Sequence, residues 1–164
     1  MQLIWQTGRY YHEEATRHLK AYRGMPVWCS DFISRMDYAY AAADLVISRA
    51  GASSISELCI LKKPVVLVPS PNVAEDHQTK NALALVNNQA AVMVTDKDAP
   101  QKLVDTALSI VHDNTRLVSL SQQIGKMAHF HSAEQIVDEI MKIIERKCNF
   151  ESFVLRIELW RCKR

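Results

Sequence analysis

The run Leu45-Val46-Ile47-Ser48-Arg49-Ala50-Gly51-Ala52-Ser53-Ser54-Ile55-Ser56-Glu57 decides the fold. Leu45 to Ser48 is short, β-branched and without polar alternation, the pattern of a strand covered on both faces. A turn of small residues follows, and Ser54 to Leu61 reads as a short helix. A strand passing through a small-residue turn into a helix is half of a β–α–β unit, and such units build parallel sheets.

The same alternation continues in both directions. Downstream, Pro64 to Val68 is a strand, Asp76 to Asn87 a helix and Ala91 to Val94 a strand. Three helical stretches follow: Ala99 to His112, Thr115 to Ala128 and Ala133 to Ile144. Upstream, Met25 to Cys29 is a strand and Arg35 to Ala43 a helix. Before them come a strand from Leu3 to Gln6 and a helix from Tyr11 to Tyr22 that stops at Gly24. The expected fold class is α/β, a parallel sheet with helices on both faces. Residues 1–146 are expected to form one domain and 147–164 an atypical tail, with Cys148, Phe150, Phe153, Trp160 and Cys162 among charges.

Composition narrows the function less than the pattern does. The 164 residues are 48% hydrophobic and 23% charged with a net charge of +2, ordinary for a globular chain with its own core. Lys and Arg are scattered, so no nucleic-acid partner is expected. Cys29, Cys59, Cys148 and Cys162 fit neither a zinc spacing nor a disulfide framework. Cys29 and Cys59 lie in apolar runs and read as buried reduced thiols, which points to a reducing compartment; a cytoplasmic location is expected. No apolar stretch reaches the roughly 18–20 residues that span a bilayer. Met1 to Gln6 reads as an interior strand rather than a leader, so the chain is expected to begin inside a longer protein.

Ligands of open parallel sheets bind beyond the carboxyl ends of the strands. Three loops leave strands there: Ser30 to Ser34, Arg49 to Ser54 and Pro69 to Gln78. In the second, Gly51 allows a positive φ or a close backbone approach. Ala52, Ser53 and Ser54 open a helix whose N-terminal amides and dipole suit a diphosphate. Glu57 follows one turn later, and a carboxylate can accept two hydrogen bonds from a ribose diol. The same residues have a purely local reading, because Ser54-Ile55-Ser56-Glu57 matches the S-x-x-E capping box. The third loop carries His77, Gln78 and Asn81, groups that suit sugar hydroxyls or simply a polar helix start. In the first, Phe32, Ile33 and Met36 form an apolar slot for a flat base, or ordinary packing. Tyr38 and Tyr40 read as helix packing. There is no G-x-x-x-x-G-K-[ST] and no G-x-G-x-x-G.

Three segments together carry a resemblance. They are Phe32-Ile33-Ser34-Arg35-Met36, the run Ala39 to Glu57, and Pro64 to Pro69 followed by Asp76-His77-Gln78 and Asn81-Ala82. In order and spacing they resemble the donor-binding signature of the MurG family of peptidoglycan N-acetylglucosamine transferases, with the likeness running from about Leu3 to Ile144. The resemblance implies a Rossmann-like fold, the C-terminal half of a GT-B glycosyltransferase. It implies a hexosyltransferase using UDP-N-acetylglucosamine, with a lipid-linked muramyl-pentapeptide acceptor bound by a further N-terminal domain. It implies peripheral association with the cytoplasmic face of the bacterial inner membrane; no cofactor or metal is expected.

Residue by residue, the resemblance implies that Ile33 reads uracil through its backbone, between Phe32 and Met36. Ala52, Ser53 and Ser54 supply diphosphate amides, and Glu57 holds the ribose. His77 and Gln78 contact the sugar, with Asn81 supporting that loop. Arg49 matches a family arginine without an assigned contact. The catalytic base is expected in the other domain, so the chain alone is expected to be inactive. Alternatives are a UDP-sugar-binding module without activity, an epimerase of related fold, or a transferase with another lipid acceptor.

Overall fold

The computed structural model describes residues 1–22, 24–71 and 76–161, with side chains described up to residue 146. Two compact units result, Met1–Ala128 and His129–Arg164. In the first, helices and strands alternate as the sequence pattern requires. The order is β1 (Leu3–Gln6), α1 (His12–Leu19), a 3-10 turn (Lys20–Tyr22), β2 (Val27–Ser30), α2 (Met36–Ala42), β3 (Val46–Ser48) and α3 (Ala52–Ile60). Then come β4 (Val65–Leu67), α4 (His77–Asn87), β5 (Val92–Met93), α5 (Ala99–Val111) and α6 (Asn114–Lys126). The second unit contains α7 (Ser132–Arg161), which exposes Ile136, Val137, Ile140, Met141, Ile143 and Ile144 along its described part. The side chains of the expected tail, 147–164, lie outside the described residues. Among the described residues no helix is long and apolar enough to cross a membrane.

Among the described residues every strand pairing is parallel, as expected for β–α–β units. β1 pairs with β2, with Leu3 opposite Val27. β4 lies between β3 and β5, with Val46 opposite Val65 and Val66 opposite Val92. The two sheets are separate among the described residues. Their environments differ accordingly. Val65, Val66 and Leu67 of β4 are 0% exposed, whereas Leu3, Ile4 and Trp5 of β1 are 44%, 41% and 40% exposed.

Side-chain alternation along β4 shows the two faces. Val65 and Leu67 pack with Leu58 and Cys59 of α3, Ala82 and Leu85 of α4 and Ile124 of α6. Val66 points the other way, into a cluster with Ile110 of α5 and Leu120 of α6. The strand is thus covered by helices on both sides, which is why it carries no polar residue. Burying such a set drives folding, at roughly 1.5–3 kcal/mol for each large apolar side chain. Of the two cysteines expected to be buried, Cys59 is in this core while Cys29, on the thinly covered β2, is half-buried.

Candidate functional site

The parallel register brings the loops after β3 and β4 to one end of their sheet, and side-chain hydrogen bonds tie them together. Gln78 Oε1 accepts from Ala50 N at 3.2 Å and from Ser70 N at 2.9 Å. Two backbone donors on one atom can only be met by the amide oxygen, so that end of Gln78 is committed to the loops. Asn81 Nδ2 donates to Ala50 O at 3.1 Å. Arg49 adds a third tie. Its guanidinium donates to Val68 O at 3.2 Å and Pro69 O at 3.4 Å and pairs with Asp96 beyond β5. Arg49, unassigned from the sequence, therefore joins the ends of β3, β4 and β5. His77 is exposed at the first position of α4, after Asp76 in a left-handed conformation, φ 55°. Asn72, Val73, Ala74 and Glu75 of the expected loop lie outside the described residues.

The helix after β3 begins earlier than the capping-box reading requires. α3 starts at Ala52 with Gly51 as N-cap and no side-chain cap. Ser54 is its third residue and Glu57 its sixth, so the S-x-x-E pair cannot close a box, which needs its serine at the N-cap. The amides of Ala52, Ser53 and Ser54 belong to the turn that has no intrahelical acceptor. Of the two reasons for a glycine at position 51, a positive φ is not used, since φ is −71°. Among the described residues a Cβ there would meet only Ser54 Oγ, at 4.0 Å. The Gly51 backbone conformation is one that other residues adopt, which leaves the close approach as the reason for a glycine here.

Glu57 is exposed, and its Oε2 accepts from Tyr40 Oη at 3.2 Å. Tyr40 comes from α2, and its half-buried ring packs against the core of the first cluster. Burial and the neighbouring Glu57 charge raise its pKa, so the phenol keeps its proton at neutral pH. The sequence offered no sign of this pair, because the two residues are neighbours only across two helices.

The loop after β2 forms a separate wall. A shallow cavity of about 500 Å³ is lined by Ile4, Trp28, Phe32, Ile33, Tyr38 and Ala39 among others. Phe32 is 67% exposed there. Met36 is not in the lining; Tyr38 and Ala39, farther along the same helix, take that wall. Of the Ile33 backbone groups, expected to read a base, the amide donates to Gln6 Oε1 at 2.9 Å. Arg35 stacks over Tyr38 at 3.9 Å and pairs with Asp37 at 2.8 Å, which holds the Asp37 carboxyl below its usual range. α2, which leaves this loop, reaches α3 through Tyr40 and Glu57. The arrangement can therefore offer an apolar wall, an uncapped helix N-terminus, an oriented carboxylate and a polar helix start.

Comparison with known proteins shows the family. Residues 1–140 match the glycosyltransferase family 28 C-terminal domain. The chain is 75% identical over 147 residues to the UDP-N-acetylglucosamine--N-acetylmuramyl-(pentapeptide) pyrophosphoryl-undecaprenol N-acetylglucosamine transferase of Parabacteroides distasonis. It is 58% identical over 147 residues to the protein of the same name from Porphyromonas gingivalis. These alignments cover 90% of this chain in both cases, but 40% and 39% of the relatives, so the chain spans about two fifths of their length. The crystal structure of Acinetobacter baumannii MurG superposes with a TM-score of 0.74 at 28% identity, over 85% of this chain and 42% of that one. A kitacinnamycin glycosyltransferase shares the fold with a TM-score of 0.57 at 20% identity, over 84% of this chain and 34% of that one.

Proposed function

The chain belongs to the glycosyltransferase family 28 C-terminal domain family, and from that premise we propose that it is the donor-binding part of an inverting transferase. The donor is UDP-N-acetylglucosamine, and the acceptor is the lipid-linked muramyl-pentapeptide of peptidoglycan synthesis. The observation that carries this reading is the start of α3. Among the described residues its first-turn amides carry no side-chain cap, they open behind Gly51, and Glu57 stands one turn beyond them.

Each part of UDP then has a counterpart. The diphosphate lies at the amides of Ala52, Ser53 and Ser54, where the helix dipole favours negative charge. As the acceptor hydroxyl attacks the anomeric carbon, the same amides stabilise the charge that builds on departing UDP. Glu57 accepts from the ribose hydroxyls. Uracil packs against Phe32 in the slot after β2. Because Ile33 N already donates to Gln6, the Ile33 carbonyl is the group that receives the base N3–H. Cytosine has no proton at N3, so this contact selects uracil.

The sugar faces His77 and the NH2 of Gln78, while Asn81 holds the Ala50 carbonyl and supports the loop. Acceptor binding and the general base are assigned to polypeptide outside this chain, as is contact with the cytoplasmic face of the membrane. Calorimetric titration of the chain with UDP, UDP-N-acetylglucosamine, UDP-glucose and CDP tests the reading. UDP and UDP-N-acetylglucosamine are expected to bind, weakly, ahead of UDP-glucose and CDP. Equal affinity for UDP and CDP, or no binding of either, refutes it. Sugar transfer to lipid acceptor by the purified chain would refute the division of labour.

A further inference from the structure

Glu57 is a flexible side chain on an exposed helix surface, and a ligand role demands that it wait in one orientation. An unrestrained glutamate loses considerable rotamer freedom when fixed. Any of that ordering done before the ligand arrives appears as affinity. Among the described contacts, the restraint on the Glu57 carboxylate is the Tyr40 hydroxyl, 3.2 Å from Oε2. Tyr40 suits the task, because its ring is fixed by packing with the core under α3. A packed tyrosine is a rigid lever with a polar tip. One bond to Oε2 leaves Oε1 and the remaining lone pairs for further donors.

We propose that Tyr40 is a positioning residue for the nucleoside: its hydroxyl holds Glu57 in the rotamer that presents the other carboxylate oxygen to the ribose diol. The proposal rests on the reading of Glu57 as the ribose ligand, and goes beyond it by assigning the orientation to a second helix. It also explains why a tyrosine occupies a site where phenylalanine would fill the same space.

The test compares two ligands across three chains. UDP and 2′,3′-dideoxy-UDP are titrated against the unaltered chain, Tyr40→Phe and Glu57→Gln, by ligand-observed NMR that reads millimolar dissociation constants. Melting temperatures are taken alongside. The unaltered chain is expected to prefer UDP by about ten- to a hundredfold, the worth of hydrogen bonds to a charged acceptor. Tyr40→Phe is expected to bind UDP about three- to tenfold more weakly, one ordinary hydrogen bond's worth. Its affinity for the dideoxy ligand should be unchanged, since that ligand asks nothing of Glu57.

A Tyr40 that serves packing alone would weaken both ligands alike, and that result overturns the proposal. If Glu57→Gln loses the preference for UDP while Tyr40→Phe keeps it in full, the proposal falls and the ribose reading stands. If Glu57→Gln keeps the preference, or the unaltered chain shows none, the ribose reading falls and takes the proposal with it. Should Tyr40→Phe melt well below the unaltered chain, Tyr40→Met, which fills the space without a hydroxyl, replaces it in the same comparison.

Discussion

Replacing Gln78 with leucine removes one oxygen that two backbone amides share. The Ala50 amide belongs to a fully buried residue, so its N–H has no route to water once Gln78 Oε1 is gone. Leaving such a donor unsatisfied costs about 1–3 kcal/mol. Ser70 is half-buried, and water can replace its lost partner, so its loss adds only about 0.5–1 kcal/mol. The Asn81 bond to Ala50 O survives and holds the loop partly in place. The net expectation for Gln78→Leu is a destabilisation of about 2–3 kcal/mol, or a melting temperature lower by about 5–10 °C for a chain of this length.

Gln78→Glu separates this clamp from any contact with the donor. It keeps an oxygen for both amides, now a charged acceptor, but removes the NH2 group and places a negative charge near the diphosphate site. It should melt within about 2 °C of the unaltered chain, since no buried donor is abandoned, yet bind UDP-N-acetylglucosamine at least about tenfold more weakly. Differential scanning calorimetry and ligand titration on the two variants decide the matter. If Gln78→Leu is within about 0.5 kcal/mol of the unaltered chain, the size of an ordinary surface substitution, the clamp does not exist as described.

Two further results are expected. Gly51→Ala should leave stability within about 0.5 kcal/mol, because its φ of −71° suits any residue and the new methyl meets only Ser54 Oγ among the described residues; UDP titration should nevertheless show weaker binding, and a glycine role confined to backbone strain would give the opposite pair of results. Burial pushes the Cys59 thiol pKa up, so the native state holds its proton after the unfolded thiol has begun to lose it near its ordinary value of about 8.5. The unfolded state then binds fewer protons, and Cys59 contributes stability that is complete below that pH and declines as pH rises through the raised pKa, by at most about 1.4 kcal/mol per pH unit. Urea denaturation from pH 7 to 10 should show this decline in the unaltered chain and a shallower one in Cys59→Ala; identical slopes would refute it.

The sequence by itself determined the layers and the loops. Parallel pairing follows from strands that are apolar on both faces and separated by single helices, a pattern confined to a few dozen residues of chain. The helix-starting turn at Ala52 to Ser54 was legible for the same reason: small residues, a glycine and a following apolar period are local facts. Tertiary structure decided what the polar side chains do with their atoms. The local match to a capping box dissolved because α3 begins at Ala52, which released Glu57 from the helix end. Glu57 found Tyr40 on another helix, Gln78 turned its oxygen back to Ala50 and Ser70, and Gln6 reached the Ile33 amide. Most of these partners are far apart in sequence, and no spacing rule encodes them. A buried or half-buried backbone donor must be satisfied by whatever acceptor packing brings within about 3 Å, and only the folded chain determines which side chain that is.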